Sequence, residues 1–142
     1  MKSLFYYGLG FPVFLKDVET EVIRSEELPI VDHNELERRV FSALLRSDHQ
    51  LTGAEFSFAR GFMRKTQKAL ASSIGLKTHS MISTWEAKGN ASTGMDPAQE
   101  HAVRTVMAHY VNELNSYLPT SLAILRGEFS PESKLEVSYK AA

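Results

Sequence analysis

Cysteine is missing from this 142-residue chain, which excludes a disulfide framework, a thiolate zinc site and a catalytic thiol together. The absence fits a reducing compartment, and a cytoplasmic location is the expectation. No stretch approaches the roughly 18 apolar residues of a membrane-spanning helix. The opening MKSLFYYGLGFPVFLK is broken by glycines and a proline, so neither a signal peptide nor a membrane partner is expected. One sign of charge does not dominate either: 16 Lys plus Arg face 17 Asp plus Glu, a balance that on its face argues against nucleic acid. Internal repeats and low-complexity segments are absent.

The balance is not local. Residues 1–50 hold 6 basic and 9 acidic side chains, residues 51–95 hold 6 and 2, and residues 96–142 hold 4 and 6, so the positive charge sits in the middle third. Arg60, Arg64, Lys65, Lys68, Lys77 and Lys88 make it basic. A polyanion senses such a patch within a Debye length of ~8 Å.

That basic third contains TQKALASSIGLKTHSMISTWE, residues 66–86. Leu70, Ala71 and Ile74 share one helical face, Met81, Ile82 and Trp85 share another, and Gly75 between them is a helix stop. Two short amphipathic helices around a tight break have the layout of a helix-turn-helix. Small residues on the first (Ala69, Ala71, Ser72, Ser73) permit a close crossing. The polar side of the second carries His79, Ser80, Ser83 and Thr84, short groups that suit a major groove. An ordinary helical hairpin whose polar face meets only water is the alternative for these residues.

Around this segment the chain reads as α+β, mainly α. Residues 5–31 look extended, with Phe11, Val13 and Leu15 alternating with Pro12, Phe14 and Lys16, and a two-stranded antiparallel unit is expected. Asp32 with Glu35 predicts a capping box and a helix through Leu36, Val40, Leu44 and Leu45 to about Arg46, completing a small ββα unit over residues 1–48. Ser47–Leu51 is a polar break and the expected boundary. Thr52 with Glu55 predicts a second capping box, on a helix with Phe56, Ala59, Phe62 and Met63 on one face, and Thr66 caps the next. Asp96, Pro97 and Gln99 open a long helix whose apolar face runs from Ala98 to Tyr117 and ends before Pro119. That face exceeds what a small domain needs, so the surplus is expected to pack on a second chain or on the N-terminal unit. Residues 49–118 then form the central domain and 119–142 a C-terminal extension, in which KLEVSYK is either an edge strand or a disordered tail.

Catalysis has weak support. His33, His49, His79, His101 and His109, with carboxylates such as Glu35 and Glu113, show no catalytic spacing. His101 and His109 are eight residues apart, hence about 80° apart on a helix and two turns distant. A nucleophile elbow, a phosphate-cradling loop and a metalloprotease motif are all absent. The expectation is a non-enzyme without cofactors, its histidines mostly at the surface.

The run LTGAEFSFARGFMRKTQKALASSIG followed by MISTWEAKG resembles the Xre-type helix-turn-helix of phage Cro and lambda-type repressors, and within that group the C-terminal domain of MqsA-type antitoxins. The likeness spans roughly residues 50–112 and rests on the LTGAE start, the TQKALA helix and the WEAKG end in the same order. It implies a lambda-repressor-like bundle. It also implies DNA contacts from Gln67, from the recognition-helix positions Thr78, His79, Ser80, Ser83 and Thr84, and from phosphate-gripping Lys68, Lys77 and Lys88. Trp85 would anchor the core, and Glu86 would pair locally. Between Gly75 and Trp85 this chain is one residue longer than the pattern. The cysteine zinc module of such antitoxins has no counterpart, so zinc is not carried over. The implied function is a homodimeric, sequence-specific repressor on a palindromic operator, the antitoxin of a toxin–antitoxin pair that represses its own operon. The acidic N-terminal third would then meet a basic toxin, the alternative being that it completes the fold or the dimer. A toxin-neutralising module with little DNA affinity and an Xre-type repressor without a toxin partner are the alternatives.

Overall fold

The computed structural model describes residues 2–131 and 133–139. The chain is α+β and mainly helical, and its contacts divide it into two units. One runs to Ala43 and resumes at Lys134; the other is Leu44–Ser133.

In the first unit, β1 (Lys2–Tyr6) pairs antiparallel with β2 (Val13–Val18), and β5 (Glu136–Ser138) adds to the other edge of β2 in parallel. Val13 and Leu15 are buried while Phe14 and Lys16 are half-exposed, the period of two that a one-sided sheet imposes, and Val18 is buried one residue out of that phase, after Asp17 at positive φ. A second hairpin, β3 (Thr20–Ile23) with β4 (Glu26–Pro29), turns on Arg24 and Ser25, both at positive φ, as a tight two-residue hairpin demands. The expected two-stranded ββα unit is thus too simple. Residues 20–29 form a separate ribbon, and the tail read as strand or disorder supplies β5, with Lys140–Ala142 outside the described residues.

Helix α1 (His33–Arg46) buries Leu36, Val40, Phe41, Leu44 and Leu45. Its expected capping box forms only by half. The Glu35 N–H donates to Asp32 Oδ1 at 2.9 Å, but the Asp32 N–H donates to the Tyr139 hydroxyl at 2.6 Å, and the Glu35 carboxylate turns to Arg38 and Arg39.

The second unit holds α2 (Gly53–Phe62), α3 (Gln67–Ser73), α4 (Ser80–Glu86), α5 (Pro97–Tyr110) and α6 (Leu114–Leu125). The capping boxes at Thr52/Glu55 and Asp96/Gln99 form in full, with Pro97 in the first turn. Leu51, Phe56, Leu70, Ile82, Val103 and Met107 are fully buried, and Phe56 meets Trp85 edge-on at 5.6 Å. Gly53 lets the start of α2 lie against the end of α4: a Cβ there would stand 2.6 Å from the Trp85 carbonyl oxygen and 2.9 Å from that of Glu86.

Several helices end in one way. After α2, α3, α5 and α6 a residue at positive φ (Arg64, Gly75, Asn112, Gly127) gives its N–H to a carbonyl three residues back, and the next residue gives its N–H five back, the Schellman pattern. At Asn112 it divides the expected single helix. Residues 98–117 are therefore parts of two helices, and Pro119 lies inside α6. The Ser47–Leu51 break is not a slack linker. Arg104 Nη1 and Nη2 donate to the carbonyls of Ser47 and His49, and Gln50 donates to the Met95 carbonyl at 2.6 Å. The division between the units instead falls within α1, after Ala43.

Candidate functional site

Helix α3 begins at Thr66, whose hydroxyl accepts from the Ala69 N–H at 3.0 Å, and buries Leu70 and Ala71. Gly75, at φ +81°, ends it, and residues 74–79 lead into α4. α4 buries Ile82 and Trp85 and leaves Ser80, Ser83 and Thr84 exposed, as a one-sided amphipathic helix requires. Met81, expected on the apolar face, is instead 42% exposed, its sulfur accepting from Gln99 Nε2.

Lys68, Lys77, Thr78, His79, Ser80, Ser83, Thr84 and Lys88 are all exposed, and Gln67 is half-buried. Thr78 and His79 stand outside the helix to which the resemblance assigned them, because α4 starts at Ser80. Thr84 spends its hydroxyl proton on the Ser80 carbonyl at 3.1 Å. The Ser83 hydroxyl has no hydrogen-bond partner among the described residues.

Glu86 fastens α4 to its neighbours. Arg60 of α2 donates from Nε to Oε2 at 2.5 Å and from Nη2 to Oε1 at 3.1 Å, and Gln67 Nε2 donates to Oε1 at 3.1 Å. Glu86 is thus held by residues 26 and 19 positions back in the chain, on other helices, and not by the local cap or pair that was expected. The Glu86 carboxylate raises the Arg60 pKa and so keeps the guanidinium charged, but that charge is spent inside the fold. Gln67 commits an amide N–H to the same carboxylate.

The remaining cations separate sharply. Among the described residues Arg64, Lys65, Lys68, Lys77 and Lys88 form no ion pair, whereas Lys2, Lys16, Arg38, Arg39, Arg46, Arg104, Arg126 and Lys134 each meet a carboxylate, with Arg24 the exception. Unneutralised positive charge therefore gathers within residues 64–88, on and around α3 and α4, while elsewhere it is mostly cancelled. Pattern reading could count these basic residues but not their partners, which lie far along the chain.

Three buried polar groups escaped that reading. His49, expected at the surface, is buried; its Nε2 faces the Glu55 carboxylate at 3.0 and 3.1 Å and its Nδ1 faces Ser133 Oγ at 3.3 Å. The Glu55 carboxylate also closes the cap of α2, so the ring acts as a strut. Glu100 and Arg104 form a fully buried ion pair at 2.9 Å, in which Glu100 Oε1 receives no hydrogen bond among the described residues. Burial raises the Glu100 pKa, and Arg104 offsets part of that rise.

A groove of about 460 Å³ opens beside Lys65, Val106, His109, Tyr110 and Leu114. Among the described residues no helix is long and apolar enough to cross a membrane, and no group of three or more His, Cys, Asp or Glu could hold a metal ion. No family model matches the chain, and no curated protein or solved structure matches it either.

Proposed function

We propose that the chain is a sequence-specific DNA-binding repressor of the Xre type that acts as a homodimer on a palindromic operator, as a binding protein and not an enzyme. One observation carries this reading: the exposed hydroxyl flank of α4, with Ser83 unengaged, is bracketed in sequence by Lys77 and Lys88 and belongs to the segment where five cations lack carboxylate partners. Salt-free cations bind phosphates, and short side chains on a protruding helix reach base edges. Ser80, Ser83 and Thr84 are the base-reading candidates, Lys68, Lys77 and Lys88 the phosphate contacts, and Thr78 and His79 approach from the turn. Gln67 both touches DNA and, through Glu86, orients α4.

An antitoxin role is the more specific form of this proposal. It is favoured by the β3–β4 ribbon, where Glu21 and Glu26 are exposed beside Val22 at 71% exposure, a surface of the sign a small basic toxin would meet.

Fluorescence anisotropy on labelled DNA from upstream of the chain's own coding sequence tests the DNA reading. Lys77→Ala weakens binding to all sequences alike, while Ser83→Ala changes the ranking of single-base operator variants. Absence of any binding at ~50 mM salt, where even non-specific affinity is strong, overturns it.

A further inference from the structure

The groove beside α5 lies wholly within the helical unit. Lys65 reaches it from the turn before α3 and Ser73 from the end of α3, while α5 contributes Val106, His109 and Tyr110 and the start of α6 contributes Leu114. Its volume of about 460 Å³ falls within the roughly 300–1,000 Å³ of small-molecule sites. Such sites combine mostly apolar walls with a few polar groups that fix the ligand's orientation, and this groove has both.

The apolar part is the Val106 and Leu114 side chains and the Tyr110 ring, which meets Phe62 edge-on at 6.1 Å. The polar part has one sign of charge. Lys65 is half-buried and meets no carboxylate among the described residues, His109 adds an imidazole, and no lining residue is acidic. Glu113, the chain neighbour of Leu114, is tied to Arg46 at 2.9 Å. Ser73 gives its hydroxyl proton to the Ala69 carbonyl at 3.0 Å, so the ammonium is the strong donor of the groove.

That combination selects an occupant. A neutral hydrocarbon leaves the ammonium unused, and a phosphate monoester brings nearly two negative charges where one lysine stands. A carboxylate carries one charge and forms a charge-assisted hydrogen bond with an ammonium, and an apolar body behind it covers the walls. We infer that the groove binds a small amphipathic monocarboxylate, with its carboxylate at Lys65 and His109 and its apolar body against Val106, Tyr110 and Leu114. The inference stands on the groove alone and its test uses no DNA, so it and the repressor reading fail separately.

In a heteronuclear NMR titration of the full chain, octanoate shifts the amides around Lys65, Val106 and Leu114 saturably. Lys65→Met keeps the stem, removes the charge and weakens octanoate by about tenfold, whereas Lys65→Arg retains the affinity. The response to octanol, the same chain without the charge, is unchanged by Lys65→Met. Val106→Trp fills the groove and abolishes the octanoate shifts with an unchanged circular dichroism spectrum. Absence of saturable shifts up to about 10 mM octanoate, beyond the weak affinity expected of so small a ligand, overturns the inference. So does octanoate binding indifferent to Lys65→Met, the mark of adsorption elsewhere on the surface. A dimer in sedimentation velocity that Val106→Trp splits and octanoate leaves intact also overturns it, by assigning the groove to a second copy of the chain.

Discussion

At residue scale, the most consequential pair is one that local pattern could not suggest. Glu100 and Arg104 are four apart, the spacing of an ordinary surface ion pair, yet both are fully buried, and Arg104 holds the Ser47–His49 backbone. Removing one partner strands the other charge, so Arg104→Met is expected to cost about 3–5 kcal/mol in urea unfolding at pH 7. The Glu100 pKa is raised on folding, so its contribution to stability is full below the ordinary carboxylate value near 4.5 and is lost as pH rises through the raised one. The Arg104→Met penalty is therefore smaller at pH 4, where the stranded carboxyl takes up a proton, and a pH-independent penalty would contradict this account.

At the scale of elements, the caps were legible because they are contiguous: Thr52 with Glu55 and Asp96 with Gln99 close reciprocal bonds within one turn. The Asp32–Glu35 signal, identical in kind, closed by half because Tyr139, more than a hundred residues on, took the same N–H. The helix end at Asn112 was invisible, since it is not the glycine by which such ends are recognised. Gly75 was visible, and its role is conformational: a Cβ there meets nothing within 4 Å, but φ is +81°. Gly75→Ala is thus expected to lower stability by about 1–2 kcal/mol through left-handed strain alone, measured by thermal unfolding, whereas Asn112→Gly, in the same conformation, brings no such loss.

For the whole molecule, near-neutral composition hid a division between cancelled and uncancelled charge. If Arg64, Lys68, Lys77 and Lys88 each neutralise one phosphate, the logarithm of the DNA association constant falls with the logarithm of salt concentration at a slope of about −3 to −4 per protomer. Lys88→Ala reduces that slope by about one. A slope unchanged by Lys88→Ala would place the phosphates elsewhere. The Glu86 clamp on Arg60 and Gln67 ties α4 to α2 and α3, the helices around which these charges lie.

Sequence by itself determined where α1, α2, α3 and α5 start, most of the apolar positions on them and that the middle third is basic, because those properties depend on neighbours within one turn or on composition. Tertiary structure alone decided that Arg60 is neutralised while Lys77 is not, that Thr78 and His79 lie in the turn, that β5 joins β2, and that the apolar surplus near the C-terminus falls on a separate helix with an exposed leucine row. Each of those outcomes depends on which distant group reaches a given atom first, and chain order carries no measure of that distance.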